Sequence, residues 1–421
     1  MKAGWEESKI EELCFIGDGN HSSNYPTKEE MIADGVPFIR STNIGNGIVT
    51  NFDIKFISKE KHIKLKKGHL KTGDVLITNR GEIGKTAIVD SRFDGANLNS
   101  QIAWLRCNES IFNRYLFYFL NSNIVQQHFK NSKSGAAVQQ FTIKQIKELK
   151  IAHPNYVEQQ RIVAILDQAF EGIAKARANA QQNLQNARAL FESYLQSVFS
   201  VRGELVEPQH PSTSSGRADK GWANNNLVAL SDLATDITDG DHMPPPKAIT
   251  GVPFITIGNI VKPTRTIDFT DTFKVPFEYF NKLKANKKPK RGNVLYTVTG
   301  SFGIPVLVKD NQEFCFQRHI GLIRPKSDVS SEWLCYLLGS PQLVKQANDG
   351  ATGTAQKTVS LKVLRGFQVP NLPIDKQNKM VVELDALSKE TQRLEAIYQR
   401  KIALLDELKK SLLQQAFAGE L

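Results

Sequence analysis

Two patterns alternate along this chain. From Val157 to Phe199 there is no proline, and apolar residues at Ile162, Ile165, Ala169, Ile173, Ala176, Leu184, Ala187, Phe191, Leu195 and Val198 recur mostly at three- and four-residue steps, the period of one face of an α-helix. From Lys376 to Phe417 the same spacing runs through Met380, Leu384, Leu387, Leu394, Ile397, Leu404, Leu408 and Leu412. Pro154 stands just before the first helix and Pro370 and Pro373 before the second, where proline is tolerated. At 1.5 Å per residue, some forty helical residues reach roughly 60 Å. A helix of that length cannot bury its stripe against itself, so the two are predicted to pair antiparallel as a coiled coil. The stretches ahead of each helix read differently. Short apolar runs at 75–78, 86–89, 102–105, 294–298 and 305–308, broken by Gly, Pro and Asn turns, predict strands, and short helices over 113–121 and 331–338 are expected to close each domain.

The chain repeats itself. Gly4-Trp5 returns as Gly221-Trp222, and Gly17-Asp18-Gly19-Asn20-His21 as Thr238-Asp239-Gly240-Asp241-His242. Gly35-Val36-Pro37-Phe38-Ile39 returns as Gly251-Val252-Pro253-Phe254-Ile255, each leading to Asn-Ile (Asn43-Ile44, Asn259-Ile260). Gly73-Asp74-Val75-Leu76 matches Gly292-Asn293-Val294-Leu295, and the run from Ser193 to Phe199 matches that from Ser411 to Phe417. The matches are collinear, which marks an internal duplication. The fold class expected is α+β: two mixed α/β domains joined by two long antiparallel coiled-coil helices, with an internal pseudo-twofold repeat. The segments are 1–152 (first domain), 153–201 (central helix), 202–220 (linker), 221–373 (second domain) and 374–421 (distal helix). The linker carries Pro208, Pro211 and Ser212-Thr213-Ser214-Ser215-Gly216, a flexible composition. With the helices paired, it returns the chain to start the second domain, and the two domains sit at opposite ends of a rod.

Charge sharpens this plan. The net charge is +11. Residues 1–152 carry 21 basic against 16 acidic side chains, and residues 221–373 carry 18 against 12. The other three segments balance, so all the excess lies in the two globular blocks. Two basic modules with neutral spacers are the electrostatic footprint of a bidentate polyanion binder. No apolar run approaches the about 20 residues that span a bilayer, and the start lacks the apolar core of a secretory signal. Cys14, Cys107, Cys315 and Cys335 lack metal-ligand spacing. They are expected to be reduced thiols in a cytoplasmic protein, with neither disulfide nor metal site.

One stretch resembles a known family. Glu158-Gln159-Gln160-Arg161-Ile162, opening a long helix after a proline, is similar to the conserved helical region of the specificity subunits of type I restriction–modification systems. The Asp-Gly-x-His motif of the second half, with Asp18-Gly19-Asn20-His21 in the first, the Gly-Val-Pro-Phe-Ile turn, the Gly-Asp-Val-Leu strand and the two-copy plan resemble the same family. The second helix reads Asp375-Lys376-Gln377-Asn378-Lys379-Met380, a departure from the pattern at its start. The resemblance implies a non-catalytic subunit that binds a bipartite double-stranded DNA sequence. Each recognition domain would read one half-site, and the helices would set the gap between them. It further implies partners: two docked methyltransferase subunits and, in the full complex, restriction subunits.

Catalytic alternatives fit less well. Phe15-Ile16-Gly17-Asp18-Gly19 matches the glycine loop that cradles S-adenosylmethionine, but no Asn-Pro-Pro-Tyr follows and the second copy breaks the glycine pattern. A turn is the better reading, and no cofactor is expected. Glu82-Ile83-Gly84-Lys85 has the wrong spacing for a nuclease centre. A standalone methyltransferase or nuclease is therefore disfavoured, and a structural coiled-coil protein is disfavoured by the extent of the basic duplicated domains. Asp18 and Asp239, each near a histidine, are read as turn-capping groups. Base reading needs polar side chains on loops that enter a groove, and the two copies differ most where such residues cluster. Candidates are Asn79, Arg80, Asn99, Gln101, Gln139 and Gln140 in the first copy, and Thr299, Ser301, Gln317, Arg318, Thr354 and Gln356 in the second. Lysine runs at one place in both copies supply phosphate-contact candidates: Lys61, Lys64, Lys66 and Lys67, then Lys284, Lys287, Lys288 and Lys290, with Lys357. Phosphate contacts fix register without specifying sequence.

Overall fold

A computed structural model describes residues 2–19, 25–131, 140–200, 227–242, 244–262, 264–354 and 356–421. The chain divides into two compact units, one made of Met1–Gln181 with Gln399–Leu421 and the other of Gln182–Tyr398. The division falls inside the two long helices, so each helix contributes one half to each unit.

In the first unit, Cys14–Asp18, Ile102–Cys107, Val75–Thr78 and Thr86–Ile88 lie side by side in that order, all antiparallel. The hairpin of Ile44–Gly45 and Gly47–Val49 extends this sheet through a parallel contact with Thr86–Ile88. Val75–Thr78 is buried at every position, which is why its sequence is apolar without alternation. A second sheet sets Val36–Ile39 between Lys55–Ile57 and Asn97–Leu98, antiparallel to the first and parallel to the second. Asn113–Leu120 covers the main sheet with Tyr115, Leu116, Tyr118, Phe119 and Leu120 all buried. It does not close the domain as expected. Asn123–Asn131, Ile143–Lys147 and the strand Lys150–His153 follow it, and that strand pairs with Glu6–Lys9.

The second unit uses the same order. Ala234–Asp239, Ile320–Pro325, Val294–Thr297 and Pro305–Leu307 form an antiparallel sheet. Val252–Ile255 lies between Lys274–Val275 and Cys315–Phe316, again antiparallel and parallel. Leu227–Ala229 pairs with Gln368–Pro370 as Glu6–Lys9 does with Lys150–His153. Its hairpin, Ile260–Val261 with Thr266–Ile267, forms a separate two-stranded sheet. Ser331–Leu338 is followed by Pro341–Gly350 and Leu361–Arg365, so it too is not the last element.

The long helices run Tyr156–Ser200 and Ile374–Ala418, 45 residues each. Within the first unit, Ile162, Val163 and Leu166 share a core with Leu413, Ala416 and Phe417, and Tyr115 and Phe119 set their rings edge-on against Phe417. Within the second, Leu195 and Phe199 share a core with Met380, Leu384 and the fully buried Trp333. Each such Val, Leu, Ile, Phe or Met side chain contributes about 1.5–3 kcal/mol on burial. The Arg177–Asp406 and Arg188–Glu395 ion pairs are largely exposed and add under about 1 kcal/mol each, so they fix register more than they stabilise. The expected stripe of the second helix needs correction. Ile397, Leu404 and Leu408 are 45%, 48% and 46% exposed, while Ile402 and Leu405 turn inward in their place.

The start of that helix also departs less from the family pattern than its sequence indicated. Gln159 is fully buried. Its Oε1 accepts from the Phe112 N–H at 2.8 Å, and its Nε2 donates to the Ser110 and Pro154 carbonyls at 2.9 Å each. Gln377, equally buried, accepts from the Ser330 N–H at 2.8 Å and donates to the carbonyls of Asp328 and Leu372 at 3.3 and 2.8 Å. The same clamp ties each helix to its globular domain. Gln-x-x-Ile in one copy and Gln-x-x-Met in the other are therefore one motif.

Candidate nucleic-acid interface

The glycine shared by the two Asp-Gly motifs is required by what passes over it. A β-carbon at Gly19 would lie 2.4 Å from the backbone of Leu98 and Asn99, and one at Gly240 would lie 2.0 Å from the Phe316 carbonyl oxygen. In each unit this contact seats the loop that leads into the strand Ile102–Cys107 or its counterpart Ile320–Pro325. Gly17 is needed for a different neighbour, since its β-carbon would meet the Trp104 indole at 2.6 Å. Phe15 to Asp18 lie in a strand, and close neighbours account for both glycines, Trp104 for Gly17 and the Leu98–Asn99 backbone for Gly19.

Around that seat the divergent segments converge. In the first unit, the Asn99 N–H donates to the Ile39 carbonyl and the Asn79 N–H to the Gln101 carbonyl, both at 2.9 Å. The Phe141 N–H reaches the Asn79 carbonyl at 2.8 Å. Gln101 Oε1 accepts from Ser41 Oγ at 3.3 Å and from Asn99 Nδ2 at 3.2 Å, and Arg80 Nη2 donates to Gln140 Oε1 at 2.8 Å. The second unit repeats the backbone bonds. The Gln317 N–H reaches the Ile255 carbonyl at 3.0 Å, the Val298 N–H the His319 carbonyl at 2.9 Å, and the Val359 N–H the Val298 carbonyl at 2.8 Å. Position for position, Asn99-Ser100-Gln101 corresponds to Gln317-Arg318-His319. A common frame thus carries unlike side chains.

Several candidates prove to belong to that frame. Asn79, Asn99 and Thr299 are 2%, 5% and 7% exposed, because their loops fold over them, so they do not present side chains outward. Arg80, Gln101 and Gln317 are half-buried, and Gln140, Ser301, Arg318, Thr354 and Gln356 are exposed. Gln139 lies outside the described residues. Among the lysines, Lys61 is bound to both carboxylate oxygens of Glu30 at 2.9 and 2.7 Å. Lys287 donates to the Gly240 carbonyl at 3.1 Å, and Lys288 donates to the Asn281 carbonyl at 3.2 Å and lies over the Phe280 ring. These three are spent inside the fold. Lys64, Lys66, Lys284, Lys290 and Lys357 point to solvent, and exposed Lys67 stands 3.8 Å from Asp18.

Sequence reading missed the groups that hold these loops. Asp241 accepts from Tyr279 Oη at 2.7 Å, whereas Asp239, which the sequence did single out as a turn-capping group, meets His242 Nε2 through Oδ2 at 2.9 Å. Asn43 and Asn259 are buried and close equivalent loops, with Nδ2 donating to the Phe52 and Asp271 carbonyls at 2.7 and 2.9 Å. Asp74 and Asn293 accept from the Lys71 and Lys290 N–H groups at 2.8 and 2.9 Å. Their recurrence at matched positions was the available signal. Burial raises the pKa of Tyr25, and burial together with the Arg318 charge lowers that of His319. Among the described residues no group of three His, Cys, Asp or Glu side chains could hold a metal ion, and no helix is long and apolar enough to cross a membrane. The four cysteines are free, with Cys14 and Cys107 sulfurs 3.9 Å apart across adjacent strands.

A family model described as the type I restriction modification DNA specificity domain matches residues 2–183 and 234–404. Over its whole length the chain is 22% identical to the type I restriction enzyme EcoKI specificity subunit of Escherichia coli K12, covering 90% of that protein. It is 28% identical over 206 residues to a putative type I restriction enzyme specificity subunit of Haemophilus influenzae, covering 45% of this chain and 49% of that one. Its fold resembles the HsdS subunit from Thermoanaerobacter tengcongensis, with a TM-score of 0.62, 20% identity and coverage of 100% and 98% of the two chains. It also resembles a chain from a structure on complex assembly and conformational transition of the type I restriction–modification system, with a TM-score of 0.77, 20% identity and coverage of 100% and 99%. With two matched regions spanning most of its length, the chain belongs to the type I DNA specificity family and is an HsdS-type specificity subunit, the DNA-recognition component rather than a catalytic one.

Proposed function

We propose that the protein reads a bipartite DNA target, one half-site for each copy of the repeat, with residues 1–152 and 221–373 as reading modules. The observation that carries this is the pair of loop clusters on matched backbone hydrogen bonds, alike in frame and unlike in exposed side chains. Arg80, Gln101 and Gln140 would face one half-site, and Ser301, Gln317, Arg318, Thr354 and Gln356 the other. Lys64, Lys66, Lys67, Lys284, Lys290 and Lys357 would contact phosphates and make binding depend steeply on salt. The long helices would pair as an antiparallel coiled coil that sets the gap. Contacts of residue 161 with 421 and 177 with 406 in one unit, and 188 with 395 and 194 with 383 in the other, support that pairing. The outward Ile397, Leu404 and Leu408 would take part in docking two methyltransferase subunits, which supply the chemistry, and restriction subunits would join the full complex.

The test is selection from a randomised duplex library by the full chain co-expressed with a type I methyltransferase subunit. Two short fixed sequences separated by a gap of constant length are expected. A single contiguous motif, or none, would remove the two-module reading.

A further inference from the structure

The loop of residues 317–319 has its flanks fastened and its apex free. The Gln317 N–H is bound to Ile255, the Ile320 N–H to the Gln317 carbonyl at 3.1 Å, and the His319 carbonyl to Val298. Gly240 packs beneath. Arg318 stands exposed at the apex, and its Nε donates to Nε2 of His319 at 3.3 Å. For that bond the imidazole must be the acceptor, and its burial beside the arginine favours the neutral ring. Arginine carries five N–H donors in a rigid fork. With Nε held by the neighbouring ring, the terminal N–H groups remain, and among the described residues no carboxylate lies within ion-pair distance of them. A fork fastened at its stem and open at its tip matches the O6 and N7 acceptors of guanine in the major groove. In the first unit the same apex is Ser100, and the loop arginine there, Arg80, has Nη2 bound to Gln140.

We propose that Arg318 reads a guanine in the half-site recognised by the second unit, with His319 as the residue that positions it. This rests on the two-half-site reading above. The experiment repeats the library selection with wild type, R318A, R318K, H319F, H319Q and R80A, all as the full chain with the methyltransferase subunit. R318A is expected to lower the preference for one guanine in one half-site by about tenfold to a hundredfold, the worth of a bidentate pair, and to leave the other half-site intact. R318K keeps the charge and a donor but not the planar fork, and should lower the same preference less than R318A does. H319F should weaken that one position and H319Q, which restores an acceptor, should recover it. R80A should alter the opposite half-site. Loss of the entire half-site in R318A would mark unfolding of that unit, and R318K then decides. Unchanged guanine preference in a folded R318A, or uniform weakening of all sequences in either variant with a shallower salt dependence, would overturn the assignment, the second outcome making Arg318 a phosphate contact. A wild-type selection without two half-sites overturns the underlying reading and this one with it.

Discussion

A methyl group at Gly240 would collide with the Phe316 carbonyl at 2.0 Å, and the loop it would displace carries Gln317 and Arg318. G240A is therefore expected to cost at least tenfold in recognition of one half-site and to spare the other, measured by competition binding with half-site mutants. Gln377 holds three partners through one amide. Q377L leaves them buried and unsatisfied, at about 1–3 kcal/mol, and should lower the second unit's melting temperature, with Q159L doing the same to the first. An equal effect of both on one unit would disprove the separate clamps. His62 is held below the ordinary histidine pKa by burial first and by His69 beside it second. Just below about pH 6.5 the native ring binds fewer protons than the unfolded one, so acid favours unfolding. The first unit should melt lower at about pH 5.5 than at about pH 7.5, and H62Q should narrow that difference.

At the scale of elements, much was legible. The long helices fall within about two residues of the proline-free spans 157–199 and 376–417, with prolines just ahead of each start, and the central strands follow runs such as Val294–Thr297, buried throughout. Two things were not legible. Which apolar face of the second helix is covered depends on its neighbours, and Leu404 and Leu405 offer equal claims in sequence. Asn79, Asn99 and Thr299, expected to reach out for base contact, are buried, since a polar residue closing a loop and one reaching from it look alike without the fold. Outward Leu404 and Leu408 yield a prediction at this level. L404D with L408D should leave the melting temperature unchanged and abolish co-purification with the methyltransferase subunit; retained co-purification would place the docking surface elsewhere.

For the molecule as a whole, the net charge of +11 resides in two domains, and under the proposed function the helices between them carry metric information. Inserting one heptad at matched heights into both helices keeps their seam and lengthens them by about 10 Å. The gap in the selected DNA should grow by about three base pairs at 3.4 Å each, with both half-sites unchanged. A gap that stays constant would show that the helices do not measure it.

The first unit contains both ends of the sequence. Gly419 packs on Lys2, where a β-carbon would lie 2.9 Å from Cδ, and Trp5 and Leu421 rest on one core. The core of the first unit thus joins Ile10 and Leu13 to Leu413, Ala416 and Phe417, so it is complete only once the second long helix has been added.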